Sequence, residues 1–581
     1  MISGPDFHFG SNKLRALQPD LLWEAVQCPG LTQSAKDINH LKKSLARQLK
    51  AFNYKHKKSL LWVVFIGGTG TGKSTLFNAL CGSYISETGV ERPKTAGTIA
   101  YVHKKTPLED NFPFPEFEVK RIREKNDGSP NIPHVSRNFI VVEHARDDIS
   151  HLVLTDTPDL DSLEIQNRQM AEDLYLLADV IVFITSQEKY ADDVPSRFLY
   201  RIHREGKPYF FLFNKADPVT RREEVFLFFQ NQDLKIQEDR FRLIPYMQQP
   251  SVESISNQQE FRKFTSAFFQ ESGKDKLLQL LQDSETRNAQ NLKDKIDFLL
   301  NLLEDEKKAG QKWTEGLYSL FEDSSQYLLS QTEARHEKES RNHIQNEIRK
   351  IFNKYDVLAR PRRYVTRFFL IPLRLLGLKK RETPESHRKE LLKAGQRVDI
   401  SPVLTTVDRF NRLVLERLSP ADDTSSLLYE LRQPDIALTG EEIREKIQEE
   451  QENLADWLEE AFQDLARGIP KSKELGIYSM SILWGILILS FEVVLGGGIT
   501  FLEAALDTVI APLITKGSVN LFAYHELQKI ARELNQRYQD GLLSILREQR
   551  NRYESCLVPL LTSQETIEAL RSLRGQMENF R

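Results

Sequence analysis

One short stretch constrains this chain more than any other. Gly67-Gly68-Thr69-Gly70-Thr71-Gly72-Lys73-Ser74 fits the pattern GxxxxGK[ST]. It follows SLLWVVFIGG (59–68), an apolar, β-branched run that ends in glycine and reads as a buried strand meeting a turn. It precedes a helical pattern over Thr75–Leu80. The glycines let backbone N–H groups wrap a phosphate, and a helix N-terminus favours an anion. Lys73 is then expected to reach the β and γ phosphates of a nucleotide, and Ser74 to ligate Mg²⁺. An ordinary glycine-rich turn would not need both flanks to be correct.

A phosphate loop does not choose a base. The choice comes from Phe213-Asn214-Lys215-Ala216-Asp217, which follows an apolar strand and fits NKxD. An aspartate carboxylate accepts from both N1–H and the exocyclic amino group of guanine, and adenine offers no such donor pair. Lys215 is expected to lie along the base plane, and Asn214 to tie this loop to the phosphate loop. Between the two motifs lies Leu154-Thr155-Asp156-Thr157-Pro158-Asp159-Leu160, at the end of another strand, with Asp156 placed to hold Mg²⁺ through water. Further strand-like runs are Leu152–Thr155, Val180–Thr185, Tyr209–Phe213 and Arg242–Pro245, mostly separated by helical patterns. This alternation predicts an α/β fold with a doubly wound, mostly parallel sheet and a ligand beyond the strand carboxyl ends. Extra runs at Thr98–Val102, Phe117–Ile122 and Phe139–Val142 are expected to extend the sheet edge.

These three motifs, in this order, resemble the translation-factor-related class of P-loop GTPases. GxTGxGKST followed by LFNAL is similar to the septin-like and dynamin-like branches, bacterial dynamin-like proteins included. The resemblance spans about 59–250. It implies GTP and GDP as ligands, Mg²⁺, and GTP hydrolysis, with Gly67 to Thr75, Asp156, Asn214, Lys215 and Asp217 around the nucleotide. It also implies a switch threonine that ligates Mg²⁺ when the γ phosphate is present. Thr95, after Arg92-Pro93-Lys94, is the better match and Thr98 the runner-up, so Lys73 and Thr95 are the expected catalytic residues. Two positions depart from the family. Asp159 stands where the pattern has glycine, and its carboxylate would repel the γ phosphate unless it turned outward. Leu160 stands where small signalling GTPases carry a water-orienting glutamine, which leucine cannot replace. Hydrolysis is therefore expected to be slow alone and stimulated by a partner or by a homodimer.

After about 270 the strands stop. Residues 251–360 contain no proline, and Ala289, Leu292, Ile296, Leu299 and Leu303 step by three and four, as in an amphipathic helix. Further long helices are expected near 441–467, opened by a Thr439/Glu442 capping box, and over about 519–550. The expected layout is N-terminal helices at 1–58, a nucleotide domain at 59–270 and a long helical stalk at 271–358. A connector at 359–383, a helical region at 384–470, an apolar hairpin at 471–517 and C-terminal helices at 518–581 follow.

Two stretches bear on partners. Leu475 to Phe491 contains no charged residue, and after Glu492 a second apolar run follows Gly496-Gly497-Gly498. Such a hairpin (475–515) suits insertion into a bilayer, where the first arm is near the minimum length, or burial at the centre of a helical bundle. Residues 360–381 hold Arg360, Arg362, Arg363, Arg367, Arg374, Lys379, Lys380 and Arg381 without an acidic residue, interleaved with Phe368, Phe369 and leucines. That pattern suits an anionic lipid surface, a connector paired with acidic helices, or, less well, RNA. Over the whole chain 80 Lys and Arg face 83 Asp and Glu, which argues against a chain-wide nucleic-acid surface. Cys28, Cys81 and Cys556 lie far apart, without a CxxC pair, and MISGPDFHFGSNKLRAL has no basic-then-apolar run. A cytoplasmic protein, associated with the inner face of a membrane if the hairpin meets lipid, is expected.

Overall fold

The computed structural model describes residues 19–86, 98–123, 138–162, 164–190, 193–231, 234, 236–334, 400–468, 475–495 and 521–580. Thr95, the connector at 359–383 and the second arm of the apolar hairpin lie outside the described residues. The chain divides into two compact units. One comprises Met1–Val26, Lys36–Glu304 and Thr562–Arg581, the other Gln27–Ala35 and Asp305–Leu561.

The first unit is built on an eight-stranded sheet. Its strands are β1 (Leu61–Gly67), β2 (Thr98–His103), β3 (Glu118–Arg123), β4 (Asn138–His144), β5 (Leu152–Asp156), β6 (Val180–Ser186), β7 (Tyr209–Ala216) and β8 (Phe241–Pro245). Their spatial order is β3-β4-β2-β5-β1-β6-β7-β8, with β2 antiparallel to β5 and the other neighbours parallel. The extra strand-like runs thus become one flank of the sheet, as expected. Successive side chains of a strand point to opposite faces. On β1, Trp62, Val64 and Ile66 enter one core with Leu174, Phe198 and Phe229 from helices. Leu61, Val63 and Phe65 enter the other with Phe77, Phe264 and Phe268. Both faces are covered, so the central strands are apolar up to their carboxyl ends, as a buried parallel sheet requires.

The second unit is helical among its described residues. The helix Gly440–Gly468 begins on the expected capping box. Thr439 N–H donates to Glu442 Oε2 at 2.7 Å, and Glu442 N–H to Thr439 Oγ1 at 3.2 Å. Ile443, Ile447, Leu454 and Leu465 are buried from this helix, and Leu527, Ile530, Leu534, Tyr538, Leu542 and Ile545 from the helix Leu521–Leu557. The helix Leu475–Leu495 packs into the same core through Leu483, Trp484, Leu487, Phe491 and Val494. Trp484 meets Phe462 with ring centroids 4.7 Å apart. Among the described residues no helix is long and apolar enough to cross a membrane.

Candidate nucleotide site

β1 ends at Gly67 and the next helix begins at Lys73, so Gly68 to Gly72 form the turn between them. The two glycines that bound it, Gly67 at the end of β1 and Gly72 before the helix, are required by geometry. Gly72 has φ +86°, and a Cβ there would lie 2.3 Å from Asn214 Nδ2. Gly67 has ordinary φ, but its Cβ would lie 2.3 Å from the Ile184 carbonyl oxygen. The turn is closed from within: the buried Thr71 donates its hydroxyl to the Gly68 carbonyl at 2.9 Å.

The NKxD loop grips this turn. Asn214 Nδ2 donates to the Thr71 carbonyl at 2.8 Å, which is the tie read from the sequence. Lys215, in the left-handed region with φ +54°, donates from Nζ to the Gly70 carbonyl at 2.7 Å. The exposed Asp217 is held at its backbone: its N–H donates to Gln187 Oε1 at 3.0 Å, and Thr220 Oγ1 donates to the same oxygen at 2.9 Å.

Lys73 is buried, and its Nζ donates to Asp159 Oδ1 at 2.7 Å. Burial opposes its charge, but Asp159 and then Asp156 outweigh burial and hold the ammonium above its ordinary pKa. Asp156 is fully enclosed at the end of β5, and burial pushes its carboxyl up against the opposing pull of Lys73. Ser86 Oγ donates to Asp156 Oδ2 at 2.7 Å, and the Ser74 hydroxyl joins Lys73 in pulling the Asp156 pKa down against burial. Asp156 Oδ1 is buried with no hydrogen-bond partner. A buried carboxylate oxygen left open beside a serine hydroxyl is a donor set that fits Mg²⁺. Thr98 opens β2, opposite Phe139, with its hydroxyl buried and unpartnered.

Three residues here carried no sequence signal of their own. Ser86 is positioned by Asn78 of the LFNAL run: Asn78 Oδ1 accepts from Ile85 N–H at 3.0 Å and Ser86 N–H at 2.7 Å, while Nδ2 donates to Ser86 O at 2.7 Å. Asp161 Oδ1 accepts from both Thr69 N–H and Thr69 Oγ1 at 2.6 Å. Burial opposes the charge of Asp161, yet the Thr69 bonds hold its pKa below the ordinary carboxylate value. Gln187 is the third. Leu160 is buried in the sheet core and donates its N–H to Gly67 O at 3.2 Å, so its side chain is committed to packing.

A phosphate loop after β1, an acidic residue at the end of β5 and an NKxD motif at the end of β7 make up the pattern of a P-loop GTPase domain. Residues 63–216 match the model of the dynamin family. A curated relative, an uncharacterized protein in the xynA 3′ region of Caldicellulosiruptor sp. (strain Rt8B.4), is 22% identical over 223 residues. That alignment covers 36% of this chain and 54% of the relative, so the chain spans about half the length of the curated relative it matches. Two solved chains described under "An oligomerised bacterial dynamin pair provides a mechanism for the long-range sensing and tethering of membranes" align over 99% of this chain. They are covered to 95% and 96%, at 13% and 12% identity, with TM-scores of 0.35 and 0.38.

Proposed function

We propose that this chain binds guanine nucleotide and hydrolyses GTP with Mg²⁺, and that the nucleotide state governs what its helical part engages. The observation that carries this reading is the convergence of Lys73, Asp156 and the Asn214–Lys215 pair on one glycine turn. Lys73 would bind the β and γ phosphates, and Ser74 with Asp156 would hold the metal. Asp217, whose loop is fixed by Gln187, would read the base. Thr95 is proposed as the switch threonine. Bound Mg²⁺ supplies charge neutralisation at the phosphates. With Leu160 buried in the core, no side chain from that position orients water. Slow hydrolysis by the monomer, quickened by self-association or a partner, is the corresponding proposal.

For the helical part, membrane association through 360–381 and the apolar hairpin is one reading. One observation favours a second, in which the bundle serves a protein partner: the described apolar side chains of the helix Leu475–Leu495 are largely buried in the bundle core. GTPase rate measured against protein concentration, with and without anionic vesicles, separates them. The membrane reading expects vesicles to sediment the protein and raise its rate; stimulation by concentration alone supports self-association; fast turnover by dilute monomer sinks the claim of slow hydrolysis. For the base, Asp217→Asn is expected to shift preference from guanine toward xanthine nucleotides by about tenfold or more, the worth of a lost charged hydrogen-bond pair. Unchanged GTP affinity in that variant would overturn the assignment.

A further inference from the structure

Asp159 occupies a position where the family pattern has glycine, and its carboxylate turns inward rather than out. Lys73 Nζ lies 2.7 Å from Asp159 Oδ1. The lysine side chain is 3% exposed and the aspartate 23%, so the pair spans the boundary between the buried loop and solvent. A buried ammonium needs a counter-charge. A second carboxylate close by, Asp156, is already engaged by Ser86. The segment around Asp159 is fastened to the phosphate loop at two more points. Leu160 N–H donates to Gly67 O at 3.2 Å, and Asp161 accepts two bonds from Thr69 at 2.6 Å. Lys189 Nζ stands 3.5 Å from the other oxygen of Asp161. Asp159 is thus held against Lys73 by its own backbone surroundings as well as by charge.

We infer that Asp159 is a built-in anion that competes with the terminal phosphate of a nucleoside triphosphate for Lys73, and so sets how this site discriminates triphosphate from diphosphate. The inference rests on the nucleotide reading above. The ammonium that Asp159 occupies is the one expected to reach the β and γ phosphates. Two anions held at one cation repel each other, and do so more strongly away from bulk water. Glycine at this position would present an N–H and no charge. A bound triphosphate therefore has to displace the carboxylate toward the solvent it already touches. A diphosphate lacks the group that would come nearest to Asp159, so the cost falls chiefly on the triphosphate.

The test uses the full chain, with a fluorescent non-hydrolysable GTP analogue and fluorescent GDP titrated in Mg²⁺ against wild type, Asp159→Asn and Asp159→Gly. The first variant keeps the shape and removes the charge; the second installs the family residue, so a folding defect in one leaves the other to decide. Both are expected to bind the triphosphate analogue about tenfold tighter or more, the worth of one charged contact, while GDP affinity changes by less than about threefold. Triphosphate affinity that is unchanged or weaker in a variant with wild-type circular dichroism overturns the inference, as does an equal gain for GDP. Wild type that binds neither nucleotide overturns the nucleotide reading itself.

Discussion

The two units dispose of their buried polar groups in different ways. In the helical unit several buried hydroxyls close on the preceding turn of their own helix. Ser490 Oγ donates to Ile486 O at 2.8 Å, and Thr406 Oγ1 to Pro402 O at 2.7 Å. Gln549 bridges one loop, accepting from Leu438 N–H at 2.7 Å and donating to Ile436 O at 3.0 Å. In the α/β unit, by contrast, charges converge from distant parts of the chain. Asp179 accepts from Trp62 N–H at 2.8 Å and also pairs with Lys55, and Lys73 faces Asp159. At the strand carboxyl ends Thr155 Oγ1, Asp156 Oδ1, Thr185 Oγ1 and Ser186 Oγ are buried and unpartnered. A helix satisfies its own backbone and can absorb a hydroxyl locally, whereas the end of a parallel sheet leaves polar atoms that a ligand can complete. The helical unit invests its interior in packing, and the α/β unit invests it in a site.

The largest expected effect tests the packing side of this contrast. Leu487 is 1% exposed in the bundle core. Leu487→Ala should destabilise the helical unit by about 2–5 kcal/mol, the cost of a buried leucine truncation, and leave nucleotide affinity unchanged. Denaturant unfolding followed by circular dichroism reads the first, and fluorescent-nucleotide titration the second. A variant as stable as wild type would mean that this arm is not core, and would return weight to lipid as its partner.

The same contrast explains what the sequence could and could not reveal. The phosphate loop, Asp156 and the NKxD turn were legible because each chemistry demands fixed residue types at fixed spacing next to a strand end. All eight strands were legible as apolar or alternating runs. Ser86, Asp161 and Gln187 were not, because an ordinary serine, aspartate or glutamine acquires its role only from a partner far away in the chain: Asp156, Thr69 and Asp217. The inward turn of Asp159 was not legible either, since charge alone favoured an outward one; the buried Lys73 reverses that preference. The run Leu475–Phe491 was ambiguous for a different reason. Lipid and a protein core ask for the same apolar composition all round a helix, so only the neighbours can decide, and here the tilted rings of Phe462 and Trp484 meet inside the bundle.

A smaller effect is expected at Ser86, on the side of the site. Its hydroxyl orients Asp156 through one oxygen and leaves Oδ1 open, and Asn78 fixes the Ser86 backbone through two hydrogen bonds and that of Ile85 through a third. Removing such an outer-shell partner typically weakens metal binding by about tenfold or more. Ser86→Ala should therefore raise the Mg²⁺ concentration needed for half-maximal slowing of nucleotide release by about tenfold, with thermal stability close to wild type. An unchanged Mg²⁺ dependence would reduce Ser86 to a packing residue.

The smallest effect probes whether the α/β unit pays for its buried charge away from the site as well. Lys207 is 5% exposed, and its Nζ donates to Tyr175 O at 2.9 Å and Ala178 O at 2.8 Å. Burial, with Lys55 adding to it and Glu205 opposing, pulls its pKa down to about 7. In the unfolded chain a lysine titrates near about 10.4. Between those values the unfolded chain binds the extra proton, so the contribution of Lys207 to stability rises as pH increases through that window. At pH 7 the folded state carries a penalty that fades toward pH 10. Lys207→Met removes the titration, and the stability of wild type relative to the variant should climb by about 1 kcal/mol between pH 7 and pH 8. The check is urea unfolding of both proteins at each pH, followed by a probe in the α/β unit. A difference that stays flat across this range would show that the two carbonyls hold the ammonium fully charged, and that burial there costs no more than the hydroxyls closed inside the helical bundle.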